Sequence, residues 1–119
     1  MDREFYLVFR SLWPENRYAL SVCFFTGLPL TVVLGLRPSE LVGNYIFHAG
    51  VRYWLPFRLA AALRRIQSLY YLFPHRDYAD RHRTRQAVYK DLLRAKRELG
   101  LPAARITPLL CSLMAEPLH

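Results

Sequence analysis

The sequence predicts an all-α protein with one transmembrane helix, amphipathic juxtamembrane helices and a charged extramembrane helix. Residues 18–36 carry no charge, arginines alternate with aromatic residues after them, and a polar helical pattern follows. We divide the chain into an amphipathic N-terminal segment (1–17), the transmembrane helix (18–36), an amphipathic arginine- and aromatic-rich juxtamembrane segment (37–74) and a basic helical extramembrane region (75–119).

The N-terminal segment alternates charged residues with bulky apolar residues up to Pro14. We expect a short helix at the membrane interface, with Trp13 and Tyr18 at the depth of the lipid headgroups. A helix docked on a neighbouring subunit is the alternative.

The uncharged run over 18–36 has the length of a membrane span. A helix rises about 1.5 Å per residue, so this run would nearly cover the ~30 Å hydrocarbon core of a bilayer. Small residues at four-residue spacing, with a proline between them, predict close contact with a neighbouring helix. The predicted helix-packing residues are Gly27, Pro29, Thr31 and Gly35.

The net charge of +8 is unevenly distributed along the chain. Three basic and three acidic residues precede residue 18, whereas fourteen basic and six acidic residues follow residue 36. Because positive charge favours the cytoplasmic or matrix side of a membrane, we expect the C-terminal part on that side.

Residues 40–54 and 56–73 predict amphipathic helices that lie on the membrane or against a partner and are separated by a bend at Pro56. A second span over 41–63 is the alternative, and Arg52 and Arg58 count against it because arginine is costly inside a bilayer. Arginines between aromatic rings suit anionic lipid headgroups and also nucleic acid, and the adjacent span favours lipid. The predicted lipid-binding residues are Arg37, Arg52, Arg58, Arg64 and Arg65.

Residues 77–99 carry the pattern of a charged helix that begins at Asp77 and stops at Gly100. Its apolar stripe needs a cover, which residues 109–115 of the tail or another protein could supply. The stripe consists of Val88, Leu92, Ala95 and Leu99.

No set of residues predicts a cofactor, a metal or a catalytic centre. One cluster has metal-ligand chemistry, but arginines surround it, so helix capping and ion pairs are the simpler interpretation. The cluster consists of His75, Asp77, Asp80 and His82.

Cys23 and Cys111 lie in different predicted regions, and we expect two thiols and no disulfide.

This order of parts resembles the small single-pass accessory subunits of mitochondrial respiratory complexes and ATP synthase. The resemblance implies a non-catalytic subunit of the mitochondrial inner membrane, with its C-terminal part on the matrix side. Such a subunit packs on other subunits of a large membrane complex and binds anionic lipid such as cardiolipin. Neither a small-molecule substrate nor nucleic acid is expected as a partner.

Two alternatives remain open. One is a membrane-tethered RNA- or ribosome-binding protein that uses residues 76–105 as its basic surface. The other is a small soluble helical interaction domain in which 18–36 is a buried core helix surrounded by partner helices.

Overall fold

Two helices joined at a proline form the N-terminal part of the fold. The computed structural model describes residues 3–101, apart from the side chain of Phe5. Helix α1 spans Arg3–Ser11 and α2 spans Pro14–Thr26. Pro14 begins α2 without loss, because the first N–H groups of a helix have no partner within the helix.

The predicted transmembrane helix over 18–36 is wrong. Helix α2 ends at Thr26 because Gly27 takes a left-handed conformation, with φ of 74°, and donates a hydrogen bond to the Cys23 carbonyl. After Pro29 a separate short helix, α3, spans Leu30–Leu34. Among residues 3–101 no helix combines the length and the apolar character that crossing a membrane requires.

The apolar side chains of this run contact the rest of the protein. Helices α2 and α3 pack against each other across the turn at Gly27. Side chains that lie fully inside the fold include Val22, Leu30 and Val33. Much of the run is apolar because it belongs to the core, whereas Phe24 and Phe25 are exposed.

The amphipathic helix predicted over 40–54 is also wrong. A 3-10 turn at Pro38–Glu40 leads into strands β1 (Leu41–Val42), β2 (Tyr45–His48) and β3 (Val51–Trp54). They form an antiparallel sheet in the order β1-β2-β3. In its register Leu41 lies opposite Ile46, and Tyr45 lies opposite Trp54.

Two tight turns explain why these residues form strands. Gly43 has a positive φ of 60° between β1 and β2, and Ala49 and Gly50 have φ of 50° and 78° between β2 and β3. Positive φ at both central residues, as in the second turn, is typical of the type I′ hairpin turn, and a glycine at the first central position, as in the first turn, is typical of type II′. The twist of both turn types matches that of the strands.

Two further helices complete the described chain. Helix α4 spans Phe57–Ile66 after Pro56, inside the predicted range 56–73. Helix α5 spans Arg85–Glu98 and begins eight residues later than predicted, because the Thr84 hydroxyl accepts a hydrogen bond from the Ala87 N–H at 3.1 Å. Gly100, with φ of 68°, follows its end as predicted.

The fold is therefore α/β, and the all-α prediction is wrong. Residues 3–101 form a compact arrangement of five α-helices and one three-stranded antiparallel sheet. The core joins Val8 of α1, Leu20 of α2, Ile46 of the sheet, Leu63 of α4 and Leu92 of α5.

The fold itself covers the apolar stripe of α5. Val88, Leu92 and Ala95 are buried, and α5 packs against α1 and α3. Leu99 remains partly exposed. The predicted cover from residues 109–115 lies outside the described residues, as does Cys111.

Candidate functional site

A cleft between α2 and α4 brings several arginines together. On α2, Arg17, Ser21 and Phe25 recur every four residues, and on α4 Arg58 and Arg65 are seven residues apart. These spacings place each set on one side of its helix. All five residues line a cleft of about 410 Å³, which we call the arginine cleft.

The walls and floor of the arginine cleft are mainly apolar. Leu59 and Ala62 of α4 are buried beneath it, and Phe9 of α1 and Tyr18 of α2 also line it. Ala62 lies between Arg58 and Arg65 along α4, and its short side chain leaves room there. The result is an open concavity with an apolar floor and cationic sides.

The cleft has a strongly positive character. None of its described lining residues is an aspartate, a glutamate or a histidine. The Arg17 guanidinium donates a hydrogen bond to the Arg10 carbonyl at 3.2 Å and lies 5.7 Å from the centre of the Tyr18 ring. Within residues 3–101, Arg58 and Arg65 have neither a hydrogen bond nor a salt bridge, and both are exposed.

An exposed group of aromatic side chains adjoins the cleft. The Phe25 ring meets the Phe24 ring edge-on at 5.3 Å and the Trp54 ring at 6.1 Å between centroids. Phe57, the first residue of α4, is 77% exposed, and Trp54 is 52% exposed. We call Phe24, Phe25, Trp54 and Phe57 the aromatic patch, and Phe25 belongs both to it and to the arginine cleft.

The predicted lipid-binding arginines do not form one group. Arg58 and Arg65 share the cleft, whereas the other three lie elsewhere. Arg37 lies 5.3 Å from the Tyr71 ring, and Arg52 lies 4.8 Å from the Tyr45 ring. The Arg64 side chain donates a hydrogen bond to the Gly43 carbonyl.

The predicted helix-packing residues do not share a helix face, because the helix that would join them is interrupted. Gly27 ends α2, Pro29 precedes α3, and both are exposed, as is Thr31. A Cβ at Gly35 would meet backbone carbonyl oxygens of its own helix at 3.6 and 3.7 Å.

A buried polar network that the sequence analysis missed joins α5 to the α1–α2 corner. The Asp91 carboxylate accepts hydrogen bonds from the Asn16 side chain at 2.7 Å and the Trp13 N–H at 2.8 Å. Arg94 donates to the same carboxylate at 2.6 and 2.9 Å. This hydrogen bonding raises the pKa of Arg94.

Arg83 lies close to this network and is itself buried. Its burial lowers the pKa of its guanidinium, and the charges of Glu15 and Asp91 partly offset that effect. Its Nε has no hydrogen-bond partner among the described residues. We regard the network around Asp91, together with Arg83, as structural. Hydrogen-bond donors of the protein already occupy the Asp91 carboxylate.

The residues of the histidine and aspartate cluster over 75–82 lie in a loop. The His75 N–H donates to the Arg81 carbonyl at 2.7 Å, and the Asp77 N–H donates to the His75 ring nitrogen at 3.0 Å. In the part of the chain that the structure describes, no three histidine, cysteine, aspartate or glutamate residues are placed to hold a metal ion.

Comparisons with known proteins add no relative. No protein-family model matches the chain, and no curated protein and no solved structure shows significant similarity to it. The arginine cleft and the aromatic patch are therefore the basis for a functional proposal.

Proposed function

We propose that this chain is a small non-catalytic interaction domain, which binds an acidic segment of a partner protein that also presents apolar side chains. The observation that carries this proposal is the continuity of the aromatic patch with the arginine cleft through Phe25. A segment lying across both would bury apolar side chains on the rings and bring carboxylates to the arginines.

The composition of the surface supports a protein partner. Tryptophan, phenylalanine and arginine are enriched at protein interfaces, and tryptophan and arginine often contribute most of the binding energy. Contiguous exposed apolar surface on a small protein commonly marks a binding site. Trp54 and Phe57 have the exposure that such a role requires.

Charge favours an acidic partner over a second copy of this chain. A symmetric dimer pairs a surface with the same surface of a second copy, so both sides of the interface would carry these arginines and neither would supply complementary carboxylates. The chain carries a net charge of +8, and among the described residues that line the cleft no carboxylate accompanies Arg17, Arg58 and Arg65. An acidic segment would instead supply complementary charge and accelerate association.

Rings next to arginines also suit single-stranded RNA, which is the second candidate. The basic surface expected for that function is partly engaged within the described protein. Arg94 is paired with Asp91, Arg83 is buried, and Arg76 lies 6.0 Å from the Trp13 ring. These contacts favour the protein partner.

The proposal keeps one part of the accessory-subunit hypothesis, namely a non-catalytic role in binding another protein. The single-pass form of that hypothesis required a span over 18–36, and we do not propose it again. A location at the mitochondrial inner membrane, with the C-terminal part in the matrix, has no test in the structure and stays a prediction.

Site-specific photocrosslinking tests the proposal. In the test, the full chain carries a photoreactive amino acid in place of Phe57 and is expressed in its native cells. In the control, the same amino acid replaces Leu69, which is 85% exposed. We expect position 57 to crosslink to one protein through an acidic peptide, and a Trp54→Ser change to reduce the yield severalfold. Position 69 should give no such product.

Three results would contradict the proposal. One is equal crosslinking from positions 57 and 69, or none from 57. Another is a product that ribonuclease removes, which would favour the RNA candidate. The third is a product between two copies of this chain.

A further inference from the structure

We infer that the arginine cleft is a receptor for a phosphomonoester dianion, carried by a phosphorylated side chain of the partner. The identity of the carrier rests on the proposed function, whereas the chemistry of the site rests on the cleft alone.

The first support is the convergence of cationic groups from two elements. Arg58 and Arg65 lie two turns apart on one side of α4, and Arg17 lies across the cleft on α2. The helices are packed against each other, which fixes the spacing of the backbones that carry these side chains. A ligand in the cleft can therefore meet guanidinium groups from both sides.

The second support is that the two guanidinium groups of α4 are available. Elsewhere in the described protein, Arg94 forms salt bridges with Asp91 and Glu98, and Arg37 and Arg52 lie over tyrosine rings. Across residues 3–101, by contrast, the side chains of Arg58 and Arg65 have no hydrogen bond, salt bridge or ring contact. Their donors can bind a ligand without first breaking a contact to another described residue.

The third support is the match of charge and geometry. A guanidinium group donates two parallel hydrogen bonds to a phosphate or a carboxylate. A single carboxylate balances one of the three arginines, whereas a phosphomonoester carries close to two negative charges at pH 7 and has three acceptor oxygens. Because none of the described residues that line the cleft is acidic, the dianion fits its charge better.

The fourth support is the apolar lining. Leu59 and Ala62 form a buried floor, and Phe9 and Phe25 stand at the sides. A free phosphate ion gains nothing from these contacts. A phosphate ester with an apolar stem or an aromatic ring can bury that part while its oxygens reach the arginines.

Calorimetric titration of the full chain with phenyl phosphate tests this inference, and benzoate is the matched ligand because it presents one carboxylate on the same ring. Phenyl phosphate should bind at least about tenfold more tightly than benzoate at about pH 7.5, because two charges replace one. At about pH 5 its affinity should fall severalfold, since the second phosphate proton dissociates near pH 6. Benzoate should show little change, because its carboxylate is ionised at both values.

Variants assign the binding to the cleft. The double change Arg58→Ala and Arg65→Ala should weaken phenyl phosphate binding at least about tenfold, because two charge-assisted contacts are lost. The control pair Arg85→Ala and Arg97→Ala removes the same charge from α5 and should change the affinity less than about twofold. Circular dichroism of each variant verifies that the chain is folded.

Equal affinities for phenyl phosphate and benzoate, or equal losses in the two double variants, would overturn the inference. Tighter binding of a single-stranded RNA oligonucleotide through Arg58 and Arg65 would overturn it in favour of nucleic acid. A partner crosslinked at position 57 that binds through carboxylates alone would reject the phosphate inference but retain the proposed function. Loss of the position-57 product with intact phenyl phosphate binding would do the reverse.

Discussion

The side chain of Asn16 donates a hydrogen bond of 2.7 Å to the carboxylate of Asp91, which lies 75 positions later in the chain. Both side chains are buried, and Arg94 and the Trp13 N–H complete the environment of that carboxylate. A polar contact between α2 and α5 thus fixes the position of the last described helix relative to the N-terminal helices.

Removing this carboxylate should be costly. We expect Asp91→Ala to lower the free energy of unfolding by about 3–5 kcal/mol, because Asn16 and Arg94 would lose a buried partner. Glu98→Ala is the control, because its 62% exposed side chain pairs with the same arginine, and it should cost less than about 1 kcal/mol. Urea denaturation measures both, and equal losses would show that the buried network is not stabilising.

The two glycines of the uncharged run should respond differently to alanine. Gly27→Ala should destabilise the protein by about 1–2 kcal/mol, because Gly27 has φ of 74° and left-handed backbone is unfavourable for other residues. Gly35 has φ of −90°, and its new Cβ would make ordinary contacts, so Gly35→Ala should change stability by less than about 0.5 kcal/mol. Thermal unfolding compares the two. A large loss at Gly35 would restore the expectation that small residues there allow close packing.

The turn between β2 and β3 offers a stabilising change. Ala49 has a positive φ of 50°, which alanine adopts at a cost and asparagine tolerates better. Ala49→Asn should therefore raise the free energy of unfolding by about 0.5–1 kcal/mol. The control, Ala61→Asn within α4, should lower it by a similar amount because asparagine is a poorer helix former. A loss of stability at position 49 would contradict the turn assignment.

The start of α5 distinguishes the observed cap from the predicted one. Thr84→Ala should cost about 1 kcal/mol, because the hydroxyl accepts a hydrogen bond from the Ala87 N–H. Asp77→Ala should change stability by less than about 0.5 kcal/mol, since Asp77 lies in an exposed loop. Guanidinium denaturation of both variants gives the comparison, and the reverse order would place the helix start at Asp77.

The sequence predicted those parts of the fold that depend on local signals. Gly100 ended α5 as expected, and Pro56 preceded a helix as expected. The predicted span over 18–36 was wrong because the prediction counted apolar residues and treated Gly27 and Pro29 as packing positions within one helix. A left-handed glycine followed closely by a proline instead ends a helix.

The sheet was not predicted, although the sequence contains a signal for it. Gly43-Asn44 and Ala49-Gly50 are spaced six residues apart and enclose β2, which is rich in aromatic and β-branched residues. A helical wheel groups polar residues over the same range and hides this alternation. The two-residue alternation along β2 and the residue types in the two turns together favour strands.

The arginine cleft could not be predicted from spacing along the chain. Arg58 and Arg65 were singled out as lipid ligands, but Arg17 was treated as the boundary of a span. Their proximity depends on how α2 packs against α4, forty residues away, and no local pattern encodes that contact. The aromatic patch has the same origin, because Phe25 and Trp54 come from different elements.

The contact between α1 and α5 affects the order of events during synthesis. Asp91 leaves the ribosome long after Asn16, so the corner between α1 and α2 waits without its buried partner while the sheet and α4 are made. Contacts between distant parts of a chain form late and slow folding. The part of 18–36 that packs against α5 through α3 therefore remains open to other contacts in the nascent chain until the last described helix docks, a period in which chaperones have most to protect.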